Sequence, residues 1–144
     1  MTTADAALDR AYRRAHYRLH LRTGALDLEV DRREPALAAL LAGYGVAGAA
    51  LISACNPGSR PTSTEANVAA QARLLARVSA AGYPWHDAEA LDPDGAWPAE
   101  PGLLILGIDR TQALALARDF CQNALLYVDG SAAPRLIWTR PPAL

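Results

Sequence analysis

The spacing of apolar residues changes period several times along this chain, and each change marks an element. Over residues 3–15 the repeat is helical. Leu8, Ala11, Tyr12 and Ala15 form one stripe, Thr3 stands at a capping position, and Asp5 and Asp9 suit the positive end of the helix. The period then drops to two. Tyr17, Leu19 and Leu21 alternate with His16, Arg18, His20 and Arg22, Thr23-Gly24 makes a turn, and alternation resumes to Val30, so residues 16–31 read as a β-hairpin. Pro35 opens a short helix carrying Leu37, Leu40 and Leu41, which ends at Gly43 or Gly45.

The middle of the chain holds continuous apolar runs, the signature of strands covered on both faces. Ala47–Ala54 is one, Leu103–Ile108 a second and Leu125–Val128 a third. A helix follows the first run. Thr62 and Glu65 fit a capping box, Val68, Ala72 and Leu75 keep helical spacing with Val78 or Ser79, and Gly82 ends it. Residues 83–90 read as a short strand, and Asp-Pro-Asp-Gly at 92–95 as a type I turn. Asp109 and Gln112 open a fourth helix, with Leu116 and Phe120 four apart, running to about Gln122. Arg135–Thr139 is the last strand expected before the Pro-Pro tail.

The expected architecture is a single α+β domain over residues 1–144. It has a mixed sheet of four to six strands with helices packed on it. Strand, helix, strand, strand, helix, strand in the centre suggests a ferredoxin-like core, extended by the N-terminal helix and hairpin. The chain has 144 residues, 51% of them hydrophobic, which suffices for one core.

Charge narrows the function classes more than it names one. All 14 basic residues are arginine, so Schiff-base and P-loop chemistry, both of which need lysine, are excluded. Against 15 acids the net charge is −1, which argues against a nucleic-acid partner. There is no signal-like segment and no apolar run long enough to cross a membrane, so a cytoplasmic location is expected. Cys55 and Cys121 lie far apart in apolar contexts and read as two buried thiols.

The segment 56–67 is the best candidate site. A buried strand ends there, the chain turns on Pro57-Gly58 and a helix begins, so backbone N–H groups face outward. Asn56, Ser59, Ser63 and Asn67 could contact the polar edges of a small ligand, and Arg60 offers a fork for an anion. The same residues also suit an ordinary strand-to-helix loop. Gln122 and Asn123 either face this loop or end the fourth helix.

Other groupings are weaker. Nothing brings Cys55 and His86 together as a nucleophile and base. His16 and His20 sit on one strand face and do not converge on a metal. Asp92, Asp94 and Glu100 surround Trp97, where turn chemistry competes with acid–base work and Trp97 reads as a core plug. No metal site and no cofactor are implied.

With SACNPGSRPTSTEAN, GYPWHDAEALDPDGAWPAEPGLLILGI and ALALARDFCQNALLYV in view, the chain resembles an uncharacterised bacterial family, the domain of unknown function numbered 3293, over roughly residues 12–130. The family pattern has T-A-W-N-P at the strand end, a serine and an asparagine at the next helix start, W-P-E-E, and F-G-Q-N-A. Cys55, Ala99 and Cys121 depart from it, standing where the family has tryptophan, glutamate and glycine. The resemblance implies that Asn56, Ser59, Ser63, Asn67, Glu100, Gln122 and Asn123 are its matching polar positions, and it implies no reaction. Three readings stay open. The chain binds a small anionic or nucleotide-like ligand at the 56–67 loop, it is a hydrolase or nuclease using Glu100 or Asp92 as base, or it is a protein-interaction module presenting His16, Arg18, His20 and Arg22.

Overall fold

A computed structural model describes residues 2–140; Met1 and the tail from Pro141 lie outside the described residues. In chain order the elements are α1 (Thr3–Arg14), β1 (His16–Leu21), β2 (Gly24–Glu29), α2 (Pro35–Tyr44) and β3 (Ala49–Ile52). A 3₁₀ turn, Pro57–Ser59, then leads to α3 (Thr64–Ala80), β4 (Trp85–Leu91), β5 (Glu100–Leu106), α4 (Arg110–Asp119), β6 (Ala124–Val128) and β7 (Arg135–Trp138).

The seven strands form one sheet in the order β2-β1-β4-β5-β3-β6-β7, and every neighbouring pair is antiparallel. This corrects the expected mixed sheet of four to six strands with a ferredoxin-like core: the fold is α+β with four helices on a curled half-barrel. The reason is edge pairing. The β1–β2 hairpin adds to β4 (Leu19 opposite Ala88) and β7 adds to β6 (Leu136 opposite Leu126), and neither pairing leaves a trace in local periodicity.

Alternation along the strands sorts the core into two clusters. One face carries Leu19, Leu28, Leu51, Leu104, Leu106 and Val128 and packs against Leu37 and Leu41 of α2. The other carries Ala50, Ile52, Leu103, Ile105 and Leu125 and packs against Ala70, Leu74 and Val78 of α3 and Ala113, Leu116 and Ala117 of α4. The central strand β3 is buried throughout, as its unbroken apolar run predicts. At its start, Gly48 approaches β6 so closely that a Cβ there would sit 2.7 Å from the Val128 carbonyl oxygen.

Several local expectations shift by a turn or a residue. Thr2, not Thr3, caps α1, accepting from the Asp5 amide. Ser63, not Thr62, caps α3, accepting from the Ala66 amide at 3.1 Å, because Thr62 is drawn to Asn67 instead. Asp109 caps α4 by accepting from the Gln112 amide, and the helix ends at Asp119 rather than Gln122. The buried stripe of α3 is Ala70, Leu74 and Val78; Val68, on the stripe expected to be inner, is 65% exposed. Cys55 is buried, but Cys121 is exposed and both thiols are free.

Helix α1 crosses the end of the sheet and is held by polar contacts to four separate segments. Asp9 Oδ1 accepts from Trp138 Nε1 at 3.0 Å, Tyr12 Oη and Ser59 Oγ share a hydrogen bond at 2.6 Å, Arg14 pairs with Asp94, and Arg13 reaches Asp31 at 3.2 Å. No helix among the described residues is long and apolar enough to cross a membrane.

Candidate functional site

Where β3 stops and β5 begins, the sheet end stays open as a cleft of about 830 Å³. Its walls come from α1 (Leu8, Ala11), the start of α3 (Val68, Ala72) and the 97–103 segment. Small residues on the strands, Ala90, Gly102 and Ala124, leave the space unfilled. Gly102 is also forced by the backbone, since a Cβ there would lie 3.0 Å from the Ile52 carbonyl oxygen.

The polar rim is built by the loop after β3. Asn56 (φ 47°), Gly58 (φ 67°) and Ser59 (φ 61°) all adopt left-handed backbone, which costs a non-glycine residue about 1 kcal/mol or more. Hydrogen bonds hold the loop in that shape. The Asn56 amide donates to Asn67 Oδ1 at 2.9 Å, Asn67 Nδ2 donates back to Asn56 Oδ1 at 2.9 Å, and the Thr62 amide donates to the same oxygen at 3.1 Å. The Gly58 amide donates to the Cys121 carbonyl at 2.7 Å, fixing the loop to the end of α4.

With its oxygen committed twice, Asn56 turns its Nδ2 to Glu100 Oε2 at 3.2 Å. Glu100 is half-buried, and desolvation pushes its carboxyl above the ordinary carboxylate range against the lowering effect of Asn56 and Ser53. Tyr17 Oη donates to the Tyr12 carbonyl at 2.7 Å, and burial raises both phenols, most strongly Tyr17, so both stay neutral. Burial likewise raises the Cys55 thiol. The ring of Trp97 closes the wall beside the 92–95 turn.

The eight residues expected at the site divide into three groups. Asn56, Asn67, Glu100, Ser59 and Gln122 line the cleft. Asn123 stands behind it, donating to Ser59 Oγ at 2.9 Å, while Gln122 Nε2 donates to the Cys55 carbonyl at 3.0 Å, so both amides face the loop. Arg60 and Ser63 are outside. Arg60 is exposed, its side chain without a hydrogen bond or ion pair among the described residues, and Ser63 is spent on its helix cap. Tyr12 and Tyr17 were not expected there. Both were read as members of apolar stripes; the placement of α1 brings Tyr12 to the cleft, and the pairing of β1 with β4, Tyr17 opposite Ala90, brings Tyr17.

Other groupings resolve differently. His86 shares a hydrogen bond with Tyr44 Oη at 3.0 Å rather than meeting Cys55. His16 pairs with Glu29 and His20 with Glu89, and no cluster of metal ligands forms among the described residues. Asp92 is turn chemistry: its carboxylate accepts from the Asp94 and Ala96 amides.

Residues 52–125, just over half of the chain, match the family described as "Protein of unknown function (DUF3293)". The chain belongs to this family. The match is narrower than the 12–130 expected, running from the last residue of β3 into β6. It takes in the loop, Glu100 and the Gln122-Asn123 pair, while the α1 wall of the cleft lies outside it. No curated protein and no solved structure matches this DUF3293 chain.

Proposed function

We propose that this DUF3293 domain binds a small organic molecule in the cleft at the sheet end. One observation carries the reading: about 830 Å³ of space is walled largely by apolar side chains and rimmed by a few fixed polar groups, and ligand sites typically have that volume and makeup. Two helical stripes support it. Leu8 and Ala11 of α1 and Val68 and Ala72 of α3 are apolar at helical spacing yet line the cleft instead of joining a core cluster. The anionic ligand suggested by Arg60 loses its support, because that residue does not line the cleft and no basic side chain among the described residues does.

The test is a ligand-observed NMR screen of small fragments against the wild-type chain and Ala90→Leu. The longer leucine side chain would intrude on the cleft, so fragments that bind the wild type should bind more weakly or be lost in the variant. Fragments that bind both chains equally would sink the reading.

A second reading is favoured by Glu100 itself. A carboxyl raised by burial and oriented by an amide suits a general base. On that reading the domain is a hydrolase, Glu100→Gln abolishes turnover of a substrate while sparing its binding, and Asp92 takes no part. The interaction reading is weakened by pairing within the exposed row. Arg18 is held by Asp27 at 2.8 Å, and His16 and His20 face glutamates.

A further inference from the structure

Most carboxylates among the described residues have a charged or backbone partner, and of those without an ion pair Glu65, Asp87 and Asp129 are exposed and Glu34 caps α2. Asp9, Asp27, Asp31, Asp94 and Asp119 each meet an arginine, and Glu29 and Glu89 each meet a histidine. Asp92 and Asp109 are spent on backbone amides. Glu100 is half-buried, and it has no cation among the described residues. Its Oε2 takes one amide hydrogen from Asn56, with the Ser53 hydroxyl nearby, which leaves acceptor sites of a carboxylate open toward the cleft.

The surrounding lining points the same way. Among the described residues the cleft lining has no arginine and no histidine, and its other acid is Asp87 at the exposed edge. Tyr12, Tyr17 and Trp97 supply aromatic surface, which favours a cation over an anion. Leu51 and Leu126 supply apolar surface for the rest of the molecule.

Resting on the reading of the cleft as a ligand site, we infer that its ligand is an organic amine, whose ammonium group pairs with Glu100 and whose apolar body lies against Trp97, Leu51 and Leu126. Asn56 is then a positioning residue. Its oxygen is held by Thr62 and Asn67, so only its N–H₂ can face Glu100, and that bond fixes the rotation of the carboxylate. An arriving ammonium supplies the charge partner that the folded chain withholds, and offsets the desolvation that keeps the carboxyl above its ordinary range.

Three phenyl probes of similar size test this: benzylamine, benzyl alcohol and benzoate, titrated by NMR into wild type and Glu100→Gln at neutral pH. Benzylamine should bind the wild type at least tenfold more tightly than benzyl alcohol, and benzoate more weakly than either. In Glu100→Gln the benzylamine advantage should vanish while benzyl alcohol binds as before. Equal binding of amine and alcohol to the wild type would overturn the amine assignment yet leave the cleft as a ligand site. So would an amine advantage that survives in Glu100→Gln. If none of the three binds, and the fragment screen is also blank, both the amine and the cleft readings fail. The wild-type ratio stands alone should the variant fold poorly.

Discussion

The face of the sheet that carries α2 has two ends made from the same strands and finished in opposite ways. At one end Leu37 and Leu41 descend from α2 onto Leu104, Leu106 and Val128, and the leucines and valine are 4% exposed or less. At the other, the strands present Ala90, Gly102, Ala124 and Glu100, and α1 bridges the gap by hydrogen bonds at its margins instead of pressing side chains inward. The first end is stabilised by apolar burial; the second by polar contacts whose net worth is about 1 kcal/mol each. A sheet that can close one end so thoroughly has the residues to close the other, so the hollow is a property of the sequence and not of the curl.

Breaking the packed end should cost most. Leu37→Ala, at a fully buried position, is expected to lower unfolding free energy by about 3 kcal/mol by denaturant titration, through lost burial plus the cavity left behind. The polar rim comes next. Asn67→Ala removes an acceptor for the Asn56 amide and a donor to its side chain, and should cost about 2 kcal/mol in the same titration while relaxing the left-handed loop. Ala90→Leu at the hollow end should shift stability by less than about 1 kcal/mol in either direction, since the added atoms enter space already empty. A loss as large as that of Leu37→Ala would show the cleft to be an illusion of loose packing.

The smallest effect is also the most specific. Burial raises the Glu100 pKa in the folded chain, so between the ordinary glutamate value and the raised one the folded state holds more protons than the unfolded. Its contribution is therefore fully present below the ordinary value and is lost as pH rises through that window. Glu100→Gln cannot titrate, and the difference in stability between the two chains should grow in favour of the variant across the window, by no more than one proton's linkage. A flat difference would mean that the carboxyl is solvated.

The strands of the core were readable because their apolar runs are unbroken: β3, β5 and β6 lie where Ala47–Ala54, Leu103–Ile108 and Leu125–Val128 put them. Caps were harder. Thr2-Thr3 and Thr62-Ser63-Thr64 offer neighbouring hydroxyls, and which one caps depends on partners such as Asn67 that local spacing does not reveal. The addition of β1 to β4 and β7 to β6 left no local trace, hence the misjudged sheet. Within the site, the loop was legible from polar residues following a buried strand, and Glu100 from the family resemblance. Arg60 does not line the cleft: a residue type suggests chemistry without fixing which way the side chain leaves the backbone. Tyr12 and Tyr17 stayed hidden because α1 and the β1–β4 pairing meet the cleft only in the folded chain.

The ties of α1 to the last strand also order events in time. Asp9 accepts from Trp138 and Asp5 pairs with Arg140, and β7 also gives Leu136 to the cleft lining. During synthesis α1 is thus made long before the segment that anchors it, and the open end of the sheet acquires its α1 wall only after β7 has been made.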